Sequence, residues 1–471
     1  MFEEKLKEFE PIFYPKSIAI VGVSATSIKA GSVWVRDFRS AGFPGVIYPV
    51  GSSGGRIGDL EILSNLRLIP GEVDYVIVAV PRQSVLGLLD DCAAKNVKAV
   101  HFFTAGFSEM DTQQGRKLEE QMLEKARQGN MRIIGPNCIG VYSPERKIPF
   151  LMGILGQSGS VGFVSQSGGI ATKLATIGIA RHINYSKGVS FGNGIDLDAS
   201  DFLQYLAADP KTKVIGAYLE GTRDGTRLFD TMREVAKAKP LVVWKGGRTE
   251  AGAQAALSHT GSLASSAAIW SGMLKQAGAI EVHSLEELTD ALLIFQQLGR
   301  GQGIRAVIIG GLADGGGGNS VAAGDACMEN GLKVPPLSYK TKHKLSELLG
   351  EVGNILCNPV DVSQAQFRGL ATLFQAIDLV ARDAISDVVL IQEDIDILLP
   401  IYSEKGLEEI NEFFIDLASR QNKPIIVVLP PGSVEAERLQ IEQRLLAASI
   451  PVFSSMERAA KAIYRLNQYS C

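Results

Sequence analysis

Val161-Gly162-Phe163-Val164-Ser165-Gln166-Ser167-Gly168-Gly169, followed at once by the apolar run 170–179, is the stretch that decides how this 471-residue chain is read. Four small or apolar residues make a strand with no polar face, a serine-glycine corner makes the turn, and an apolar helix begins with no loop between. A strand buried on both faces that feeds straight into a helix is half of a βαβ unit, the building block of a parallel sheet. Working outward, the same succession recurs upstream at 17–23, 46–50, 75–80, 99–103 and 132–134, and downstream at 184–189, 214–219 and 241–244. A third set follows at 306–309, 388–391, 425–429 and 452–453, with helical stretches such as 406–420 between its members. This alternation predicts an α/β protein of three consecutive parallel-sheet domains.

Two interruptions place the boundaries. Pro144, Pro149, Gly153, Gly156 and Gly159 break the periodicity over 142–159, and Gly299-Arg300-Gly301-Gln302-Gly303 follows the helical stretch 285–298. The expected domains are therefore 1–145, 155–298 and 303–471, which agrees with roughly 150 residues per domain. Composition excludes several function classes. Lys+Arg 47 against Asp+Glu 51 gives a net charge of -4, with no basic patch for nucleic acid or an anionic membrane. The start is acidic and amphipathic, and no run approaches about 18 uninterrupted apolar residues, so a soluble, cytoplasmic protein is expected. Five scattered cysteines without a C-x-x-C pair and five dispersed histidines indicate neither a disulfide framework nor a metal site.

Ligands of open parallel sheets sit outside the carboxyl ends of the strands, at the turns into helices. The first such turn holds Gly22 and Ser24, where backbone N–H groups can meet a phosphate or where a glycine simply permits a tight turn. It is not G-x-G-x-x-G, and the next strand ends in Pro49-Val50-Gly51 with no acid for a ribose hydroxyl, which disfavours NAD. At the second, Ser165, Gln166, Ser167, Gly168 and Gly169 form an anion pocket or an ordinary N-cap at Ser167. Lys245-Gly246-Gly247-Arg248 follows another strand, and beyond it Ser258-His259-Thr260-Gly261-Ser262 sets one histidine among small residues. Neutral imidazole is a competent nucleophile near neutral pH, and small neighbours let a phosphoryl group approach. Glu220, at the end of strand 214–219, could hold the other ring N–H and fix the tautomer, or could serve as a surface ion-pair partner.

These residues resemble the α subunit of ADP-forming acyl-CoA synthetases, the acetate–CoA ligase relatives of succinyl-CoA synthetase. In the first domain the resemblance rests on Val21-Gly22-Val23-Ser24 with Lys29 and Gly31, on Tyr48-Pro49-Val50, on Ala105-Gly106-Phe107-Ser108-Glu109, and on Gly135-Pro136-Asn137-Cys138-Ile139-Gly140. In the second it rests on Ser165-Gln166-Ser167-Gly168, Gly192-Asn193 with Asp196 and Asp201, Tyr218-Leu219-Glu220-Gly221, Lys245 with Gly247-Arg248, and Ser258 to Ser262. It implies a Rossmann-like CoA-binding domain followed by two flavodoxin-like domains. It further implies His259 as phosphohistidine carrier with Glu220 as its partner, Ser165, Gln166, Ser167, Gly168 and Gly169 as the phosphate-binding turn, and Gly22, Ser24, Lys29, Pro49, Val80 and Asn137 as the CoA contacts. The implied reaction converts acyl-CoA, phosphate and ADP into carboxylic acid, CoA and ATP through an acyl phosphate. ADP or ATP with magnesium would be held by a separate ATP-grasp β subunit in a hetero-oligomer, since three α/β units leave no room for one here. A non-catalytic acyl-CoA-binding homologue is the alternative.

The pattern departs from the family at Ser27, where proline is common, at Gly51, where asparagine is, and at Gly246, where another small residue is usual. In the third domain the glycine-rich run 310–319 is longer than the family's, while Asn358-Pro359-Val360-Asp361 matches.

Overall fold

The computed structural model describes residues 2–260, 266–312, 317–350 and 355–469. Its contacts divide the chain into two compact units, Met1–Leu288 and Thr289–Cys471.

Among the described residues, the first unit holds two main sheets. The first sheet is built from β1 (Ser17–Val21), β2 (Val46–Val50), β5 (Tyr75–Val78), β6 (Ala99–Phe102) and β7 (Arg132–Ile134), while β3 (Arg56–Ile57) and β4 (Leu60–Glu61) form a separate small hairpin. All five main strands are parallel, in the order β2-β1-β5-β6-β7. Every residue of β1, β5 and β6 is buried, as expected for strands covered by helices on both faces. β1 is shorter than the apolar run 17–23 suggested, because Gly22 swings to φ 102° and takes the chain out of the ladder.

The second sheet comprises β8 (Gly140–Tyr142), β9 (Ser158–Ser165), β10 (Tyr185–Ser190), β11 (Val214–Leu219), β12 (Leu241–Lys245) and β13 (Ile280–Val282), in the order β13-β12-β11-β9-β10-β8. β8 runs antiparallel to β10, so the chain joins this sheet before the proline- and glycine-rich stretch 142–159 rather than after it. The edge of β10 needs hydrogen-bond partners, and β8 supplies them.

The two sheets of this unit are fastened by side chains that the strand pattern does not reveal. The ring of Phe13, in the opening helix Phe2–Phe13, stacks on Tyr205 of the helix Ala199–Ala208 at 4.6 Å, and Phe9 stacks on the same ring at 5.0 Å. Such ring pairs are worth about 0.5–1.5 kcal/mol beyond their buried area. Asp196 accepts hydrogen bonds from Arg132 Nε (2.9 Å) and from the Ile133 backbone (2.8 Å), which anchors the end of the first sheet to the second.

The second unit contains one sheet: β14 (Ala306–Gly310), β15 (Ile355–Leu356), β16 (Val360–Asp361), β17 (Val388–Gln392), β18 (Ile425–Val428) and β19 (Val452–Phe453), ordered β15-β16-β14-β17-β18-β19. β15 is antiparallel and the rest are parallel. The expected helix 406–420 is the distal part of Ile395–Arg420, which kinks at Ser403 (φ 59°) just after Pro400. In all three sheets the parallel strands follow the order second-first-third-fourth-fifth, so the crevice favoured by ligands opens between the first and third strands.

Candidate active site

β9 ends at Ser165 and the helix Gly168–Ala180 starts three residues later. Three local bonds shape this corner. Ser165 Oγ donates to the Ser167 carbonyl (2.7 Å), the Gln166 backbone N–H donates to the Tyr218 carbonyl (3.0 Å), and Ser167 Oγ accepts from the Ile170 N–H (3.4 Å). Ser167 is thus the N-cap, and the first helical turn at Gly168 and Gly169 borders a cleft of about 570 Å³ whose wall includes Ser167, Gly168, Gly169 and Glu220. Amides at a helix start have no intrahelical acceptor and carry the positive end of the helix dipole, so they favour an anion.

The opposite wall comes from the first sheet: Val80, Thr104, Asn137 and Ile139. Asn137 adopts φ 58° and donates its backbone N–H to Thr104 O (3.0 Å). A Cβ on Gly168 would lie 3.0 Å from Ile139 Cγ1, so the glycine permits the two sheets to approach at this point. Ala79 and Val80 also line a second cavity of about 620 Å³, together with Gly22, Lys29, Val50, Gly51 and Pro81. Both volumes lie in the usual range for small-molecule sites, and together they offer an elongated ligand a path from the β1 turn to the Ser167 corner.

The residues expected to touch CoA divide into two groups. Gly22, Lys29, Val80 and Asn137 line these cavities. Gly22 is required sterically, because a Cβ there would sit 2.3 Å from the Ala79 carbonyl oxygen. Ser24 and Pro49 line neither cavity and bond within the frame. Ser24 Oγ accepts from Ser27 N (3.2 Å) and from the Ser27 hydroxyl (2.9 Å), so the two serines close the turn between them. Pro49 is buried in β2 and its carbonyl accepts from Leu63 N (2.9 Å); its neighbours Val50 and Gly51 face the cavity. Gly51 is fixed sterically, since a Cβ would approach the Val23 carbonyl oxygen to 2.0 Å.

Among the phosphate-turn residues, Ser165 is fully buried and works within the turn, and Gln166 does something the sequence did not show. Its Oε1 accepts from the N–H groups of Glu220 (2.8 Å) and Gly221 (3.1 Å), clamping the end of β11. Glu220 is half-buried, its Oε1 accepts from the Tyr218 hydroxyl (3.1 Å), and its carbonyl accepts from Lys245 Nζ (2.8 Å). Lys245 is buried with Nζ 5.2 Å from the centre of the Trp270 ring. Burial pulls its pKa below the ordinary lysine value, while the Glu220 charge opposes that shift.

His259 belongs to the helix Glu250–Thr260, and its side chain lies outside the described residues, as do Gly261 and Ser262. The backbone of that helix packs against the short turn Ser108–Met110. Of the other histidines, His101 is a core residue: it is buried, its Nε2 lies 3.0 Å from the Cys138 carbonyl, and burial lowers its pKa to about 4.

Sequence reasoning also missed the role of Asn193. Its Nδ2 donates to Glu109 Oε2 (2.7 Å) and Glu119 Oε1 (2.9 Å), while Glu119 also accepts from Ser108 Oγ (2.7 Å) and Arg223 (3.0 Å). This buried network ties the 105–109 loop of the first sheet to the loop after β10. The motifs Gly192-Asn193 and Ala105 to Glu109 were visible, but nothing local said that they meet. Among the described residues, no group of three or more His, Cys, Asp or Glu is arranged to hold a metal ion, and no helix is long and apolar enough to cross a membrane.

Residues 16–144 match the model of a CoA binding domain, and residues 158–295 match that of a succinyl-CoA ligase like flavodoxin domain. The class is therefore a CoA-ligase α/β protein, with the cleft formed where the two matched domains face each other. The chain is 33% identical over 471 residues to the alpha subunit of acetate–CoA ligase [ADP-forming] I of Pyrococcus furiosus, covering 98% of this chain and 97% of that one. It is 32% identical to acetate–CoA ligase [ADP-forming] I of Archaeoglobus fulgidus, of which it spans 64%. A solved structure of the dinucleotide forming acetyl-coenzyme A synthetase 1 of Ca. Korarchaeum cryptofilum, in complex with phosphate and ADP, superposes with a TM-score of 0.81 at 29% identity, covering 98% of this chain and 96% of that one. The chain belongs to the ADP-forming acetate–CoA ligase family, as a chain of the alpha-subunit type.

Proposed function

We propose that this chain is the CoA- and phosphate-handling subunit of an ADP-forming acyl-CoA synthetase, with His259 as its phosphoryl carrier and Glu220 as the carboxylate that sets the imidazole. The observation that carries this reading is the cleft itself, in which a capped helix start and a clamped glutamate face a cavity that leads to the β1 turn. CoA would lie along that path, with Lys29 as a point charge for a phosphate and the backbone at Gly22 allowing close approach.

In the acid-forming direction, a phosphate oxygen adds to the thioester carbonyl and the CoA thiolate leaves, giving an acyl phosphate and, after protonation, the thiol. An imidazole nitrogen of His259 then attacks phosphorus, and the bond from phosphorus to the acyl oxygen breaks, releasing the carboxylate. The first-turn amides at Gly168 and Gly169 are placed to stabilise charge on the transferring group, and Glu220 holds the remaining ring N–H. ADP accepts the phosphoryl group last. The nucleotide, with magnesium, would be bound by a separate ATP-grasp β subunit in a hetero-oligomer. The alpha-subunit name of the Pyrococcus relative and the greater length of the Archaeoglobus chain support that division of labour.

We keep 1–145, 155–298 and 303–471 as the proposed domain limits, with β8 a strand from the first segment that pairs in the second sheet. Scattered cysteines suit a reducing cytoplasm. Incubation with ³²P-labelled acetyl phosphate should place acid-labile label on His259 and none on the His259→Ala variant. An unlabelled wild-type chain, or undiminished label in the variant, would favour the non-catalytic acyl-CoA-binding alternative.

A further inference from the structure

We propose that Tyr218 is the positioning residue of Glu220, and that glycine at position 246 exists to make room for it; the proposal rests on the role of Glu220 given above. Tyr218 and Glu220 are two residues apart at the end of β11, so their side chains leave the sheet on one face. The Tyr218 hydroxyl donates to Glu220 Oε1 at 3.1 Å, and its ring meets the Trp244 ring edge-on at 4.6 Å. The backbone on either side is already fixed by Gln166 Oε1 and Lys245 Nζ. Those contacts act on the backbone, whereas the phenol bonds to the carboxylate arm directly. Burial first, and then the nearby Glu220 charge, push the phenol well above its usual pKa, so it remains a donor throughout the physiological range.

The space for this arrangement comes from the neighbouring strand. A Cβ at position 246 would stand 2.4 Å from Tyr218 Oη and 2.8 Å from its Cζ. Both atoms belong to a rigid ring wedged against Trp244, so even alanine would displace the hydroxyl from Glu220. A carboxylate held at a fixed angle presents its oxygen to an imidazole N–H in one geometry, which selects the tautomer whose other nitrogen is free to attack phosphorus.

The test uses the full chain, acetyl phosphate carrying ³²P, and CoA binding measured in parallel. Tyr218→Phe removes only the hydroxyl. It should slow labelling of His259 roughly ten- to a hundredfold while leaving the CoA dissociation constant within about twofold. Gly246→Ala, with the phenol intact, should reproduce the slowing, and the double variant should be no slower than either single one, since both break the same contact. Wild-type labelling by Tyr218→Phe, or losses that multiply in the double variant, would overturn the proposal. Glu220→Gln, run alongside, separates the two levels: if it too labels at the wild-type rate, the role given to Glu220 fails, whereas slow Glu220→Gln with fast Tyr218→Phe sinks only the positioning claim.

Discussion

The second and third sheets are built on one plan, and each puts a glutamate one residue past its third strand: Glu220 after Leu219 and Glu393 after Gln392. Each sheet also adds an antiparallel strand beside its second parallel one, β8 in one case and β15 in the other. The two carboxyls nevertheless live in opposite conditions. Glu220 is half-buried at a cleft, with a phenol on one oxygen and its backbone clamped. Glu393 is fully buried, neither oxygen has a hydrogen-bond partner among the described residues, and burial pushes its pKa up to about 8. The difference begins at the first strand. After β9 the chain turns within two residues and offers the Gln166 side chain to its neighbour. β14 ends at Gly310, and at the following Gly311 (φ 60°) a Cβ would fall 2.2 Å from Asp361 Oδ1, so this position has no room for a side chain. One backbone frame therefore yields either a carboxylate bonded by a neighbouring phenol or one that has no partner among the described residues and whose pKa burial raises.

The largest expected effect tests the buried half of this contrast. Between the unfolded carboxyl's pKa near 4.5 and about 8, folded Glu393 keeps a proton that the unfolded chain has released. The folded state then binds more protons, so raising the pH through this window lowers stability, by as much as about 5 kcal/mol once pH 8 is passed. Glu393→Gln cannot titrate and should remove that slope. Denaturant unfolding of both chains at pH 5 and pH 8.5 should show the variant gaining on the wild type only at the higher pH; equal gains at both would remove the contrast. Next in size, Glu220→Gln should slow phosphorylation of His259 by about a thousandfold, near 4 kcal/mol in barrier, because an amide cannot balance the charged imidazole or hold its tautomer as a carboxylate does. Quench-flow labelling checks this, and Glu393→Gln assayed in the same way should stay within about twofold. The smallest effect concerns the helix start. Ser167→Ala loses one cap bond and should cost about 1 kcal/mol of stability, read as a lower midpoint in denaturant.

Much of the frame was legible because its causes are local. Buried β-branched runs at 75–80 and 99–103 become β5 and β6, nearly residue for residue, since strand burial and turn chemistry are written in adjacent positions. Ser167 reads as an N-cap and is one. The site was legible in part. Gly22, Lys29, Val80 and Asn137 line the cavities, whereas Ser24 and Pro49 line neither and bond within the turn and strand that shape them. A short polar residue beside a ligand turn looks the same in sequence whether its hydroxyl faces the ligand or its own backbone.

By itself, the order of residues determined the α/β class, the alternation of strand and helix, and the corners where ligands can gather, since each follows from neighbours a few positions apart. Tertiary structure alone decided that Gln166 grips the end of β11, that Asn193 joins the 105–109 loop, that Gly246 yields its space to a tyrosine 28 residues earlier, and that two similarly placed glutamates differ in burial and in hydrogen bonding. Those outcomes depend on which strands become neighbours and on how much water the packing excludes, quantities that no short window of sequence contains.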